Sequence, residues 1–124
     1  MSSNTITVLL VDDEDEFTST LGERLEIRGY TAVTASDGEA GIQCIINRDI
    51  DIAVLDLMMP GMNGLETLKQ IKNIKPTLPV ILLTGHGSTK EGMEGMRLGA
   101  LDYLMKPLDI NELIKRITQA VQHK

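Results

Sequence analysis

Aromatic side chains are nearly absent from this 124-residue chain: there is no tryptophan, and Phe17, Tyr30 and Tyr103 make up 2% of it. A core built from such a sequence must be aliphatic, made of Leu, Ile, Val and Met. Cysteine is reduced to Cys44 alone, so no internal disulfide is available. That fits a reducing compartment, and a cytoplasmic location is expected. Cys44 falls in a helical stretch and reads as a small core filler rather than a nucleophile. No apolar run approaches the roughly 20 residues that cross a bilayer, so no membrane contact is expected. The start, Met1 to Ile6, lacks the basic and apolar regions of a signal peptide, and none is expected. Positive charge is in deficit: Lys and Arg number 12 against 18 Asp and Glu, a net charge of −6. An acidic surface repels nucleic acid, so direct contact with DNA or RNA is not expected. Repeats, low-complexity tracts and linker-like shifts of composition are missing as well. The length is that of one domain, and such a domain buries enough surface to fold without a structural metal.

What is present is alternation. Ile6–Val11, Ile50–Leu55 and Leu78–Leu83 are near-continuous apolar runs, the pattern of strands buried on both faces of a parallel sheet. Tyr30–Ala35 and Leu101–Met105 are more mixed and read as edge strands. Helices fill the intervals. Asp15–Arg28 sets Phe17, Leu21 and Leu25 on one face and ends at Gly29. Ser36-Asp37-Gly38-Glu39 reads as a capping box opening a helix to Asn47. Asn63-Gly64 precedes a helix carrying Leu65, Leu68 and Ile71 that stops before Pro76. Ser88–Leu98 is a poorer helix holding Gly92, Met93, Gly95 and Met96. Asp109–Gln122 aligns Ile110, Leu113, Ile114, Ile117 and Val121. Five strand–helix alternations imply an α/β fold: a five-stranded parallel sheet with right-handed crossovers and helices on both faces. Placing the two mixed strands at the edges gives the flavodoxin-like order 2-1-3-4-5, with a ligand site beyond the carboxyl ends of strands one and three.

The residues at that rim carry chemistry. Strand one runs into Asp12-Asp13-Glu14, strand three into Asp56, strand four into Thr84 and strand five into Lys106-Pro107. Taken singly each reads blandly, as a helix-capping acid, a turn acid, a strand-end hydroxyl or a surface lysine. Gathered at one rim they favour a site. Three carboxylates brought together raise one another's pKa or demand a cation, and hard oxygen donors suit Mg²⁺. A carboxylate nucleophile, a divalent cation, a lysine and a hydroxyl are the parts of phosphoryl transfer to an aspartate.

Four strings, Val8–Glu14 (VLLVDDE), Val54–Gly64 (VLDLMMPGMNG), Val80–Gly85 (VILLTG) and Gly99–Pro107 (GALDYLMKP), resemble in order and spacing the receiver domain of bacterial two-component response regulators. The resemblance runs from about Ile6 to Val121 and implies a single receiver domain over 1–124. It further implies that Asp56 accepts a phosphoryl group from a phosphohistidine of a sensor histidine kinase or phosphotransfer protein. Asp13, Asp56 and the backbone carbonyl of Met58 would bind Mg²⁺, with Asp12 acting through water. Lys106 and Thr84 would bind the phosphoryl oxygens, and Thr84 with Tyr103 would form the switch that shifts the surface of the fourth helix, fifth strand and fifth helix. The Lys106–Pro107 bond would be cis. Such a chain catalyses its own phosphorylation and dephosphorylation without being an enzyme in the conventional sense. His86 and Met58, each two residues past a site residue, would tune the phosphate lifetime. The polar flank of the first helix (Thr20, Glu23, Arg24) would dock the kinase, and the fourth helix, fifth strand and fifth helix would pair two phosphorylated copies. Gly92 and Gly95 suggest a loosely held fourth helix suited to repositioning. Other reactions fit less well. A haloacid-dehalogenase-type phosphatase needs D-x-D-x-T or D-x-D-x-V, but Asp13-Glu14-Asp15-Glu16 is followed by Phe17. A flavin carrier would meet repulsion between its phosphate and the acidic turn at Asp12–Glu14. A receiver-like module that only binds partners would lack Asp56, Thr84 or Lys106, and all are present.

Overall fold

The computed structural model describes residues 5–59, 63–85 and 89–122. In chain order the elements are β1 (Thr7–Val11), α1 (Asp15–Ile27), β2 (Thr31–Ala35), α2 (Gly38–Asn47), β3 (Ile52–Asp56), α3 (Gly64–Ile74), β4 (Val80–Thr84), α4 (Thr89–Arg97), β5 (Asp102–Met105) and α5 (Ile110–Gln122). The strands form one parallel sheet in the order β2-β1-β3-β4-β5. All ten elements fall where the apolar patterning places them. Pro60, Gly61, His86 and the expected helix start at Ser88 lie outside the described residues.

The period of the strands explains the layering. Successive side chains of a strand point to opposite faces. Leu9, Val11, Ala53, Leu55, Val80 and Leu82 therefore pack with Ile42 and Ile45 of α2 and Leu68 and Ile71 of α3. Val8, Leu10, Ile52, Val54, Ile81 and Leu83 face the other way, onto Leu21 and Leu25 of α1 and Leu113 and Ile117 of α5. Every residue of β3 and β4 is buried, whereas β2 and β5 show the mixed exposure of edge strands. Cys44 packs partly buried against the α2–α3 layer, as a filler does.

Three local readings change. The α2 N-cap is Asp37, whose Oδ1 accepts from the Ala40 N–H at 2.8 Å, while Ser36 Oγ donates to Asp15 Oδ1 across 21 residues. Both residue types cap helices, and the tertiary partner of Ser36 decides between them. The third strand begins at Ile52, because Asp51 turns its carboxylate to the Thr7 N–H at 2.8 Å, and it ends on Asp56 itself. The glycines of α4 have a packing role. A Cβ on Gly92 would lie 2.5 Å from Tyr103 Cδ2, and one on Gly95 would lie 2.1 Å from Leu82 Cδ1. They let α4 sit down on β4 and β5, so helix propensity is given up for close approach.

Candidate functional site

Strand register builds the site. Asp56 is the last residue of β3, held beside Leu83 of β4. Asp12 follows the last residue of β1, and its N–H continues the ladder to Ala35 O at 3.1 Å. Thr84 ends β4, and its carbonyl accepts from the Lys106 N–H at 2.9 Å, which fixes the end of β5 beside it. The Lys106–Pro107 peptide bond is cis. Four strand ends thus deliver polar side chains to one rim, whose positions are set by backbone ladders rather than by loops.

The carboxylates of Asp12, Asp13 and Asp56 each place an oxygen within 4.8 Å of the others. Asp12 and Asp56 are buried and Asp13 is exposed, so the cluster opens to solvent on one side. Its donors are all hard oxygens, and the group can hold a metal ion. Lys106 faces it: Nζ donates to Asp12 Oδ2 and to Glu14 Oε1, both at 2.8 Å, and lies 3.7 Å from Asp56 Oδ2. The same ammonium sits 4.7 Å from the centroid of the Phe17 ring. Asp12 Oδ1 is engaged as well, by the Glu14 N–H at 3.0 Å. Asp56 Oδ1 accepts from the Met58 N–H at 3.2 Å, which brings the Met58 peptide beside the cluster.

These surroundings tune the two central groups. Burial is the largest influence on Asp56 and raises its pKa. The Met58 N–H and the charge of Lys106 pull it down, the charge of Asp12 pushes it up, and the result is about 6. Burial opposes the charge of Lys106, but the hydrogen bonds to Asp12 and Glu14 and the charges of Asp56 and Asp12 outweigh it. Its pKa stands above the ordinary lysine value. Lys106 is thus a permanent cation, while Asp56 is a carboxylate whose charge is costly without a cation nearby.

Thr84 supplies a different signal. Its side chain is fully buried, and Oγ1 has no hydrogen-bond partner among the described residues. Leaving a buried hydroxyl unpaired costs about 1–3 kcal/mol, so such a group calls for a partner that arrives from outside. Tyr103, on β5, is half-buried with its ring laid over Gly92.

The structure therefore brings together Asp12, Asp13, Asp56, Met58 and Lys106, with Thr84 and Tyr103 ending or lining the neighbouring strands. Sequence reasoning missed Glu14 and Phe17 as partners of Lys106. They lie about 90 residues from it in the chain, and the one available signal was their place next to the Asp12-Asp13 pair.

Residues 8–118 match the family model described as the response regulator receiver domain. The chain is 46% identical over 110 residues to the transcriptional regulatory protein CpxR of Escherichia coli, covering 89% of this chain and 47% of that one. It is 36% identical over 117 residues to the response regulator ArlR of Staphylococcus epidermidis, covering 94% and 53%. The chain thus spans about half the length of these relatives. Among solved structures, a receiver domain from Clostridium thermocellum superposes with a TM-score of 0.90 at 34% identity, covering 95% of each chain. A CheY-like receiver domain from Methanospirillum hungatei gives a TM-score of 0.92 at 27% identity, covering 97% and 96%. Among the described residues, no helix is long and apolar enough to cross a membrane. With the sheet order, the rim chemistry and these similarities in agreement, the chain belongs to the response regulator receiver domains of two-component signalling.

Proposed function

We propose that the chain is a single receiver domain over 1–124 that works as a phosphorylation switch, with Asp56 accepting a phosphoryl group from a phosphohistidine of a sensor histidine kinase or phosphotransfer protein. One observation carries this reading: Asp56 belongs to a carboxylate cluster faced by Lys106, at the same sheet rim where Thr84 ends β4 with a buried hydroxyl that has no partner among the described residues. Asp13, Asp56 and the Met58 carbonyl would hold Mg²⁺, and Asp12 would act through water. The cation supplies positive charge that offsets the carboxylates and the phosphoryl oxygens.

The chain's own residues do the rest. Asp56 Oδ attacks phosphorus in line, one P–O bond forming as the bond to the donor breaks. Lys106 neutralises charge on the phosphoryl oxygens, and Thr84 Oγ1 donates to one of them. That hydrogen bond satisfies a hydroxyl that otherwise has none among the described residues, and this differential interaction can bias a two-state equilibrium. Tyr103, packed on Gly92, links the movement of Thr84 to α4, and through it to the face made by α4, β5 and α5. That face exposes Met93, Met96, Leu101 and Met105. It fits a second phosphorylated copy; a mass increase in sedimentation on phosphorylation is expected, and a monomer in both states would rule pairing out. Thr20, Glu23 and Arg24 are all exposed on α1, as a kinase-docking flank requires. Hydrolysis of the acyl phosphate by the same site would make the domain its own phosphatase. Met58, exposed two residues past Asp56, would affect water access there, and His86 belongs to the same reading.

The test is intact mass after incubation with acetyl phosphate and Mg²⁺. One added phosphoryl group is expected, lost in Asp56→Asn and in EDTA. No adduct, together with no binding of beryllofluoride, would sink the switch.

A further inference from the structure

We infer that Glu14 and Phe17, at the start of α1, form a seat for the Lys106 ammonium, and that a phosphoryl group on Asp56 must compete with this seat. The inference rests on the phosphoryl-switch reading and adds two positioning residues to it.

Four groups surround the ammonium, and their distances rank them. Asp12 and Glu14 are in hydrogen-bond contact at 2.8 Å, the Phe17 ring lies 4.7 Å away, and Asp56 stands off at 3.7 Å, beyond hydrogen-bond range. Lys106 is therefore drawn towards α1 and away from the carboxylate it is proposed to serve. The role of Glu14 in the helix points the same way. It occupies the N-cap of α1, a position where the shorter Ser, Thr, Asp and Asn side chains ordinarily accept from the N–H groups of the first turn. Here it makes no side-chain capping bond, and its carboxylate goes to Lys106 instead. Phe17 packs half-buried against the α1–α5 core layer, and the ammonium lies over its ring. Asp12, the other close partner, is buried. Glu14, with 63% of its side chain exposed, is the ligand that can let go.

The consequence is a restraint. In the unphosphorylated chain the seat satisfies the lysine that Asp56 would otherwise claim. On phosphorylation the dianionic oxygens must outbid Glu14, so the strength of the seat sets part of the affinity for the phosphoryl group. Both seat residues also lie on the helix whose outer flank carries Thr20, Glu23 and Arg24. A partner docked there could therefore loosen the lysine at the moment of transfer.

The experiment is a calorimetric titration of beryllofluoride, a phosphoryl mimic, at saturating Mg²⁺; the chain has no tryptophan to report binding. The parent chain, Glu14→Gln and Glu16→Gln are compared, and the Mg²⁺ affinity of each is measured separately. Glu16 is an exposed acid in the same turn that removes equal charge without touching the seat. Glu14→Gln is expected to bind the mimic about two- to five-fold more tightly than the parent, the weight of an exposed ion pair. Glu16→Gln is expected to match the parent, and high salt to narrow the Glu14→Gln gain. Equal affinity in parent and Glu14→Gln overturns the seat, as does an equal gain in Glu16→Gln or a gain traced wholly to Mg²⁺ affinity. Failure of the parent itself to bind beryllofluoride overturns the switch reading instead.

Discussion

On the α1 flank of Asp56 the polar groups are already paired: Lys106 holds Asp12 and Glu14, and Asp12 also accepts from the Glu14 N–H. On the β4 flank, Thr84 buries a hydroxyl with no partner among the described residues. The first flank is preassembled and electrostatically strong. The second is incomplete among the described residues, and an added phosphoryl oxygen would complete it. A switch benefits from this asymmetry. In the proposed switch, one side would fix where the phosphoryl group lands, and the other would gain a hydrogen bond only once it has landed.

The largest way to break the comparison is to empty the paired side. Lys106→Ala leaves Asp12 and Asp56 buried without their cation, and a loss of about 3 kcal/mol of unfolding free energy is expected at neutral pH. Urea denaturation checks it, and added Mg²⁺ should restore part of the loss.

Asp56→Asn acts next, and in the opposite direction. Burial holds the Asp56 pKa near 6, above the ordinary carboxylate value of 3.8. The folded chain therefore binds this proton more tightly than the unfolded chain does. Relative to Asp56→Asn, metal-free parent is most stable below about pH 4 and loses stability as the pH rises towards 6. Above that the gap is flat, with Asp56→Asn ahead by up to about 3 kcal/mol. Thermal melts of both proteins from pH 4 to 8 measure it. A gap that does not change with pH would mean that Asp56 is not held uncharged by its surroundings.

Thr84→Val sharpens the comparison with the smallest effect on stability. It removes the unpartnered hydroxyl at nearly constant shape, so the unliganded fold should gain about 1 kcal/mol, the lower end of the cost of an unpaired hydroxyl. Beryllofluoride affinity should fall about five- to ten-fold, the weight of one charge-assisted hydrogen bond. A drop in both quantities would show that the hydroxyl has a structural partner.

The sheet was legible in the sequence because buried parallel strands are written as runs such as Val8–Val11 and Val80–Leu83, which admit few other readings. The acids were legible because they follow such runs, and Lys106 because it follows the last, more mixed strand. What escaped were pairings between distant segments. Ser36 and Asp37 are equally good caps on paper, and only the arrival of Asp15 separates them. Gly92 and Gly95 look like weak helix, and only the Tyr103 ring and Leu82 show why nothing larger fits. Glu14 looks like one more surface acid until Lys106 folds back onto it.

The sheet also acts as a partition. Side chains of β1, β3 and β4 divide strictly between the α1–α5 layer and the α2–α3 layer, so neither layer's packing residues serve the other. Even at β5 the division holds, with Tyr103 on one side and Leu104 on the other. Substitutions that reshape one face therefore leave the opposite face in register. Descendants of such a chain can change the proteins they meet on one side while keeping, unaltered, the surface they show on the other.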